Sequence, residues 1–428
     1  HDGSPGRPDG GIAGEADLDW SRRFRSGAEL TGRLGVDLVK LLTKNQASSL
    51  GLLADASISV PLLRGAGEQI VAEPLTQAQR NVIYSIHSFE RFKRSLAVRV
   101  ASEYLNVLRQ LDEVENAREN YNRLIVSVRR AERMAEEARL PEVQVDLARQ
   151  DALAAQDRVI RARDRYQRQL DSLKLTLGLP TDAKIELVVE ELTRLRRPPK
   201  AELGEEDVPA GGLELPPDYA VGLALAHRLD LRTAHGETYD AQRRVVVAAD
   251  GLEADVTLVG SANMGSGRSV SSAGRPNAEL RPELGFYSLG LNTDLPWERT
   301  AERNAYRNSL IALERTTRDL QELEDQVKLQ VRDALRQLRQ ARQSYQIQDV
   351  AVQLAAKRVA GTKLTLEVGR GEIRDVLEAE EDLVSAKNAL TAALVSYRVS
   401  ELELQRDMGV LEVDEKGLWR EYQPKTTE

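Results

Sequence analysis

The chain has 428 residues, of which 41% are hydrophobic, 30% are charged and only 4% are aromatic. Aromatic side chains supply much of the bulk of globular cores, so this composition argues against one large globule. High Ala, Leu, Arg and Glu content is typical of long helices. A net charge of −8 gives no sign of a nucleic-acid partner, and the absence of cysteine excludes thiol catalysis and disulfides.

Residues 1–24 are predicted to be a flexible tail, because the chain opens with a polar, Gly- and Pro-rich stretch. It starts without Met or an apolar leader, so we interpret it as a mature or trimmed form. No apolar run approaches the roughly 20 residues that a membrane-spanning helix needs. Any part that crosses a membrane is therefore expected to consist of β-strands.

Four segments alternate apolar and polar residues and are predicted to be β-strands: 29–38, 54–62, 255–264 and 285–295. They form two predicted hairpins, at residues 25–65 and 254–296. A period of two over about ten residues is typical of transmembrane strands, although soluble ribbons that cap a coiled coil show it as well. Four strands cannot close a barrel in lipid, so several copies of the chain would have to share one.

Two long helical hairpins are predicted, at residues 76–178 and 298–409. In the first, apolar residues recur at helical spacing until Pro141 interrupts them, and Gly178 and Pro180 mark its end. In the second, a seven-residue series through Val327, Ala334 and Ala341 is typical of helices with a coiled-coil-like twist. These spacings predict two pairs of long, closely packed helices.

The two hairpins resemble each other in sequence. A shift of 231 positions places Val100 on Val331, and without a gap it also superposes both turns and both terminal glycines, Gly178 and Gly409. Self-similarity at a fixed offset indicates an internal duplication.

The chain resembles the outer membrane factor (TolC-like) family, whose members are trimeric channel-tunnels of efflux and type I secretion systems. The resemblance is carried by four stretches and by the repeated order of strand, strand and helical hairpin. The stretches are residues 61–67 (PLLRGAG), 177–180 (LGLP), 228–232 (RLDLR) and 369–379, the last followed by 382–383 (DL) and 386–388 (AKN).

The resemblance implies a mainly α fold with β-strands. Four strands per chain would contribute to a shared twelve-stranded barrel in the outer membrane, and the helical hairpins would form an α-barrel in the periplasm. Residues 181–252 would belong to an equatorial region, with 410–428 as its C-terminal segment. Such a homotrimer is a passive exit duct, embedded in outer membrane lipid, that docks to a periplasmic adaptor and an inner-membrane pump. The alternative is a soluble coiled-coil scaffold protein without a pore.

The resemblance also assigns two groups of site residues. The pore entrance would be lined by Asp375, Glu378 and Asp382, which share one helix face and would form acidic rings in a trimer. The adaptor-docking tips would be Arg139, Leu140, Pro141, Gly369, Arg370 and Arg374. At the first turn this chain has Ala138 where the family usually has glycine.

No catalytic, cofactor or metal site is expected. The histidines have no zinc-like spacing: His1, His87, His227 and His235. Residues 260–267 are rich in Gly and Ser, but they lack the lysine and the following helix of a phosphate loop. The sequence has no Gly-x-Ser-x-Gly motif either, so we predict that the protein is not an enzyme.

Overall fold

The computed structural model describes residues 11–42, 48–137, 140–188, 190–195, 213–272, 274–295 and 297–422. Its strands are β1 (Gly11–Arg23), β2 (Glu29–Leu41), β3 (Ser48–Pro61), β4 (Asp255–Ser266), β5 (Phe286–Asp294), β6 (Glu412–Val413) and β7 (Trp419–Arg420). Its helices are α1 (Glu68–Val71), α2 (Glu73–Glu136), α3 (Glu142–Thr176), α4 (Glu190–Leu195), α5 (Pro217–His227), α6 (Leu229–Asp250), α7 (Thr300–Glu367) and α8 (Ile373–Asp407).

The chain separates into two compact units. One comprises residues 1–85 and 233–320, and the other comprises residues 86–232 and 321–428. None of the helices in the described stretches has the length and hydropathy that crossing a membrane requires. The predicted fold class is confirmed: the protein is mainly helical, with long helices and a five-stranded sheet that contains the four predicted strands.

The first unit contains a five-stranded antiparallel sheet in the order β1-β2-β3-β4-β5. Its pairing register places polar residues opposite polar residues, and largely apolar residues opposite apolar ones, across all five strands. A polar row runs through Ser21, Thr31, Ser57, Ser261 and Ser288. The adjacent row on the other face runs through Trp20, Gly32, Ala56, Ala262 and Tyr287. The sheet therefore has one polar and one largely apolar face.

The prediction of a flexible tail at residues 1–24 is wrong for Gly11–Arg23, which form β1 and give the sheet a fifth strand. The reason lies in the sequence itself. Ala16, Leu18 and Trp20 alternate with polar residues, and this period of two matches the faces of β2. The Gly-rich opening of the chain obscured this pattern.

The second unit holds the packed parts of the long helices. Residues from α2, α3, α7 and α8 share one core, and α3 contributes mainly small side chains to it: Val145, Ala148, Ala152 and Ala155. Small residues at a helix interface let the backbones approach closely. The core explains why these helices pair although isolated helices gain little from propensity alone.

The second helices of the two pairs end in the same way, at positions that differ by 231 residues. The helices α3 and α8 both have 35 residues, and their first and last residues correspond at that offset. At the end of α3, the Gly178 and Leu179 amides donate to the carbonyls of Leu175 and Lys174 at 3.0 and 2.8 Å. At the end of α8, Gly409 and Val410 donate to the equivalent carbonyls, of Arg406 and Gln405, at 2.9 and 3.0 Å. This agreement supports the predicted duplication.

Candidate functional site: the turn ends of the long helices

The turn between α7 and α8 is fixed by backbone hydrogen bonds. Gly369 has a φ of 70°, a conformation that favours glycine, and the Arg370 amide donates to the Thr365 carbonyl at 2.9 Å. The first residue before α8, Glu372, forms a capping box with Asp375, in which each side chain accepts from the other residue's backbone amide. Asp375 therefore stabilises the start of α8, a role that its position in the sequence did not reveal.

The other two predicted entrance residues share a cation. Arg358 of α7 donates from Nη2 to Glu378 Oε1 at 3.0 Å and also bonds to the carboxylate of Asp382. Hydrogen bonding to Glu378 and the charge of Asp382 raise the pKa of Arg358, so the guanidinium stays charged. All three side chains are about half exposed, at 48%, 58% and 47%. The structure thus keeps the acidic face accessible but partly neutralises it.

Glu380, two residues after Glu378 on α8, has a fully buried carboxylate. Glu380 has an exposed fraction of 0%, and its oxygens accept from Arg123 Nε of α2 at 2.7 Å and Lys363 Nζ of α7 at 2.6 Å. Arg123 also contacts Glu119, which accepts from Lys387 Nζ of α8 at 2.9 Å. The Lys387 hydrogen bond holds the pKa of Glu119 below its usual range. This charged network ties α2, α7 and α8 together.

The predicted docking residues have unlike surroundings. Leu140 packs against the shared helical core, whereas Pro141 is exposed and immediately precedes α3. Arg370 is exposed in the second turn, and Arg374 lies 3.5 Å from Glu372. Arg139 lies outside the described residues. Near these turns, Val143 and Val368 are exposed by 78% and 67%. The turn ends therefore present cationic and apolar groups to their surroundings.

The motif at residues 228–232 has a structural role in the second unit. Arg228 donates to both carboxylate oxygens of Asp230, at 3.0 and 2.6 Å, and to Gln330 Oε1 at 2.7 Å. Burial alone would raise the pKa of Asp230, but the Arg228 hydrogen bonds, with the charge of Arg91, hold it below its usual value. The motif links the start of α6 to α7.

Sequence patterns missed Glu380 and Arg358. Glu380 stands on an apolar helix stripe, four residues after Val376 and three before Leu383, and a carboxylate at such a position signals a buried ion pair. Arg358 carried no comparable signal, because it is one of many charged residues on α7. Within the described part of the chain, no group of His, Asp and Glu residues is arranged to hold a metal ion.

No protein-family model matches the chain, and no curated protein matches it either. Solved structures do. The outer membrane channel OprN superposes with a TM-score of 0.67 at 14% identity, over 92% of this chain and 81% of that one. The Neisseria gonorrhoeae MtrE outer membrane channel gives a TM-score of 0.62 at 13% identity, over 94% and 81%.

The outer membrane protein VceC from Vibrio cholerae has a TM-score of 0.61 at 14% identity, over 94% of this chain and 87% of that one. These likenesses extend over nearly the whole chain and most of each neighbour. The chain therefore has the fold of outer membrane channel proteins, as its resemblance to the outer membrane factor (TolC-like) family predicted.

Proposed function

We propose that this chain, which has the outer membrane factor fold, is one subunit of a homotrimeric channel-tunnel in the outer membrane. It would act as a passive exit duct without catalytic activity, in an efflux or type I secretion system. The strands of three copies would form the wall in the membrane, and the long helices would form a tunnel in the periplasm. The energy for transport would come from an inner-membrane pump.

The observation that carries this proposal is the consistent division of the sheet into two faces. The apolar face includes side chains that the single chain leaves exposed: Leu38 at 62%, Leu289 at 77% and Leu291 at 58%. The opposite face carries hydrogen-bonded polar pairs, such as Thr31 with Ser57 at 2.6 Å and Ser261 with Ser288 at 2.7 Å. A membrane barrel requires this arrangement, with lipid on one side and water on the other.

The acidic group at the start of α8 is proposed to line the pore entrance. Three copies would gather Asp375, Glu378 and Asp382 around one axis, where carboxylates attract cations. Arg358 makes the net charge of each copy's group less negative, because it pairs with Glu378 and Asp382. The entrance would then combine acidic rings with a ring of cations, and the balance between them would set its selectivity.

The turn ends are proposed as the docking surface for a periplasmic adaptor, and they include Arg370, Arg374 and Pro141. Close to them lies a cleft of about 190 Å³ lined by Arg123, Val126, Arg130 and Leu366, among others. Val126 is exposed by 59%. The cations of this cleft are paired with carboxylates, as Arg130 is with Glu367 at 2.9 Å, so a docked helix would gain mainly apolar contact there.

The competing function is a soluble coiled-coil scaffold, and detergent distinguishes the two. A channel should be extracted from outer membranes only with detergent, should have the mass of a trimer, and should conduct ions in planar bilayers. A scaffold should remain in the soluble fraction without detergent. A detergent-free soluble protein with the same fold and no conductance would overturn the proposal.

A further inference from the structure

The two edges of the five-stranded sheet run in the same direction. Each of the four neighbouring pairs, from β1 with β2 to β4 with β5, is antiparallel. Four reversals of direction separate β1 from β5, so these two edge strands are parallel to each other. The parallel direction of the two edges follows from the odd number of strands and their antiparallel pairing.

The strand directions limit how copies of the sheet can join into a ring. If β5 of one copy paired with β1 of the next, each seam would be parallel, and three copies would give fifteen strands. If β5 instead paired with β2 of the next copy, each seam would be antiparallel and the ring would have twelve strands. Bacterial outer membrane barrels are built from antiparallel strands in even number. The edge of β2, however, is occupied by β1 in the single chain.

The strand β1 holds this edge mainly through its backbone. Every residue of β1 after Gly11 is exposed, so the strand buries no complete side chain, although Trp20 is only 51% exposed. Arg23 of β1 lies 3.3 Å from Glu29 of β2. Arg33 of β2 bonds to Asp17 at 2.6 Å and lies 3.8 Å from Asp19. Opposing this attraction, Glu15 lies directly across from Asp37, and like charges at such positions are unfavourable. A second strand with a matching apolar face could replace β1 at little cost in burial.

The strand β5 has the features of an edge strand that can pair with a strand of another chain. Its residues from Phe286 to Thr293 carry no charge, and all of them are exposed. Uncharged, exposed edge strands readily pair with another chain, whereas charged ones resist it. In contrast, β1 carries charges at Glu15, Asp17 and Asp19 among other positions. The free edge of β5 is therefore the better candidate for joining a second copy.

We propose that β1 is an exchangeable edge strand, which covers the outer edge of β2 in the single chain and is displaced by β5 of a second copy during assembly. The inference rests on the proposed trimeric channel and specifies its subunit seam. In the unassembled chain β1 protects β2 from incorrect pairing, and in the channel the seam becomes antiparallel. The partner of this surface is thus the β5 strand of another copy of the same chain.

The test uses the absence of native cysteine, which makes introduced pairs the only thiols. Ser21→Cys with Thr31→Cys joins β1 to β2, because these residues lie opposite each other. Thr31→Cys with Ser57→Cys joins β2 to β3 in the same polar row and serves as the matched control. Each full-length variant is closed by oxidation or a short bis-maleimide, then assayed for trimer mass and conductance in detergent and bilayers.

We expect the β1–β2 lock to keep the chain monomeric and non-conducting, and reduction of a disulfide lock to restore at least ten times more trimer. The β2–β3 lock should assemble like the unmodified chain. A β1–β2 lock that assembles and conducts normally would overturn the proposal, because β1 would then remain in the wall. If the unmodified chain forms neither trimer nor conductance, the proposed channel function fails instead, before any lock is applied.

A second measurement identifies which strands of two neighbouring copies are adjacent at the seam. Copies with only Thr31→Cys are mixed with copies that have only Ser288→Cys, assembled, and treated with bis-maleimides of increasing length. Cross-linked pairs of chains are expected between β2 and β5. The matched mixture of Ser21→Cys with Ser288→Cys should give at least fivefold less product. Equal or greater cross-linking from Ser21→Cys would place β1 at the seam and overturn the exchange.

Discussion

Arg358 Nη2 on α7 donates a 3.0 Å hydrogen bond to Glu378 Oε1 on α8. The pair joins the end of one long helix to the start of the next, at the acidic group that we propose to line the pore entrance. Because Arg358 also bonds to Asp382, one cation accompanies two of the three carboxylates. Selectivity at the entrance should therefore respond in opposite directions to changes at these residues.

The first prediction concerns this balance of charge. Glu378→Gln removes one negative charge per copy and should weaken cation preference, whereas Arg358→Gln removes the positive charge and should strengthen it. The ratio of cation to anion permeability in single-channel recordings measures both. The double variant should return close to the unmodified ratio. If both single variants shift the ratio in the same direction, or neither shifts it, these residues do not line the pore.

Asp375 needs separate treatment, because it caps α8 as well as carrying charge. Asp375→Ala with Glu378→Ala should reduce cation preference and block by multivalent cations. Loss of the capping box should also cost about 0.5–2 kcal/mol of stability. Asp375→Asn offers a control that can retain part of the cap. A double alanine variant with unmodified selectivity and block would remove both residues from the entrance.

The second prediction concerns the buried carboxylate. Glu380→Gln leaves Arg123 and Lys363 without their shared anion and should lower the free energy of unfolding by about 3 kcal/mol. The neighbouring Glu381 is 62% exposed and pairs with Arg158 at 3.1 Å, so Glu381→Gln should cost less than about 1 kcal/mol. Denaturant titrations in the same detergent compare the two. Equal costs would mean that the buried network contributes no more than a surface ion pair.

The third prediction concerns the faces of β5. Leu291→Arg places a charge on the proposed lipid face and should cost about 2–4 kcal/mol if it lies near the midplane of the membrane. Asn292→Arg, on the opposite face, should be tolerated. The yield of membrane-inserted trimer measures the difference. Similar losses for both variants would show that the faces are assigned incorrectly.

The fourth prediction concerns acid stability. Since its folded-state pKa is depressed, Asp230 should stabilise the protein above its unfolded pKa of about 3.9, and this contribution is lost as the pH falls through the folded value. Asp230→Asn should lower the thermal midpoint at pH 6. The difference from the unmodified protein should shrink below about pH 4. Asp146, which is 74% exposed, provides a control through Asp146→Asn. A pH-independent difference for Asp230→Asn would contradict the assignment.

The fifth prediction compares two glycines that correspond at the offset of 231 residues. Gly178 and Gly409 have φ values of 70° and 72°, so alanine at either should cost about 1–2 kcal/mol of backbone strain. At Gly409 the added methyl would also lie 3.0 Å from the His227 carbonyl oxygen, whereas at Gly178 nothing lies within 4 Å. Gly409→Ala should therefore cost roughly 1–3 kcal/mol more, as overpacking does. Equal unfolding free energies for the two variants would contradict this.

The sequence by itself determined the elements of this protein. Periods of two and of three to four residues predicted the strands and long helices, because a side chain's direction follows its position in the element. The same rule applied to Gly11–Arg23, whose alternation was present but obscured by neighbouring glycines. The turns were also readable from sequence, since a positive φ at Gly178, Gly369 and Gly409 favours glycine.

Only the tertiary structure decided which charged residues meet. Arg123 and Lys363 are distant from Glu380 in sequence, and only the packing of α2 and α7 against α8 brings them to it. Likewise, the position of β1 depends on its pairing with the edge of β2, for which we propose that β5 of a second copy competes. The sequence around a charged helix residue does not identify its ion-pair partner, and the sequence of an edge strand does not identify the strand it pairs with. In both cases the partner is determined by long-range packing and not by local conformation.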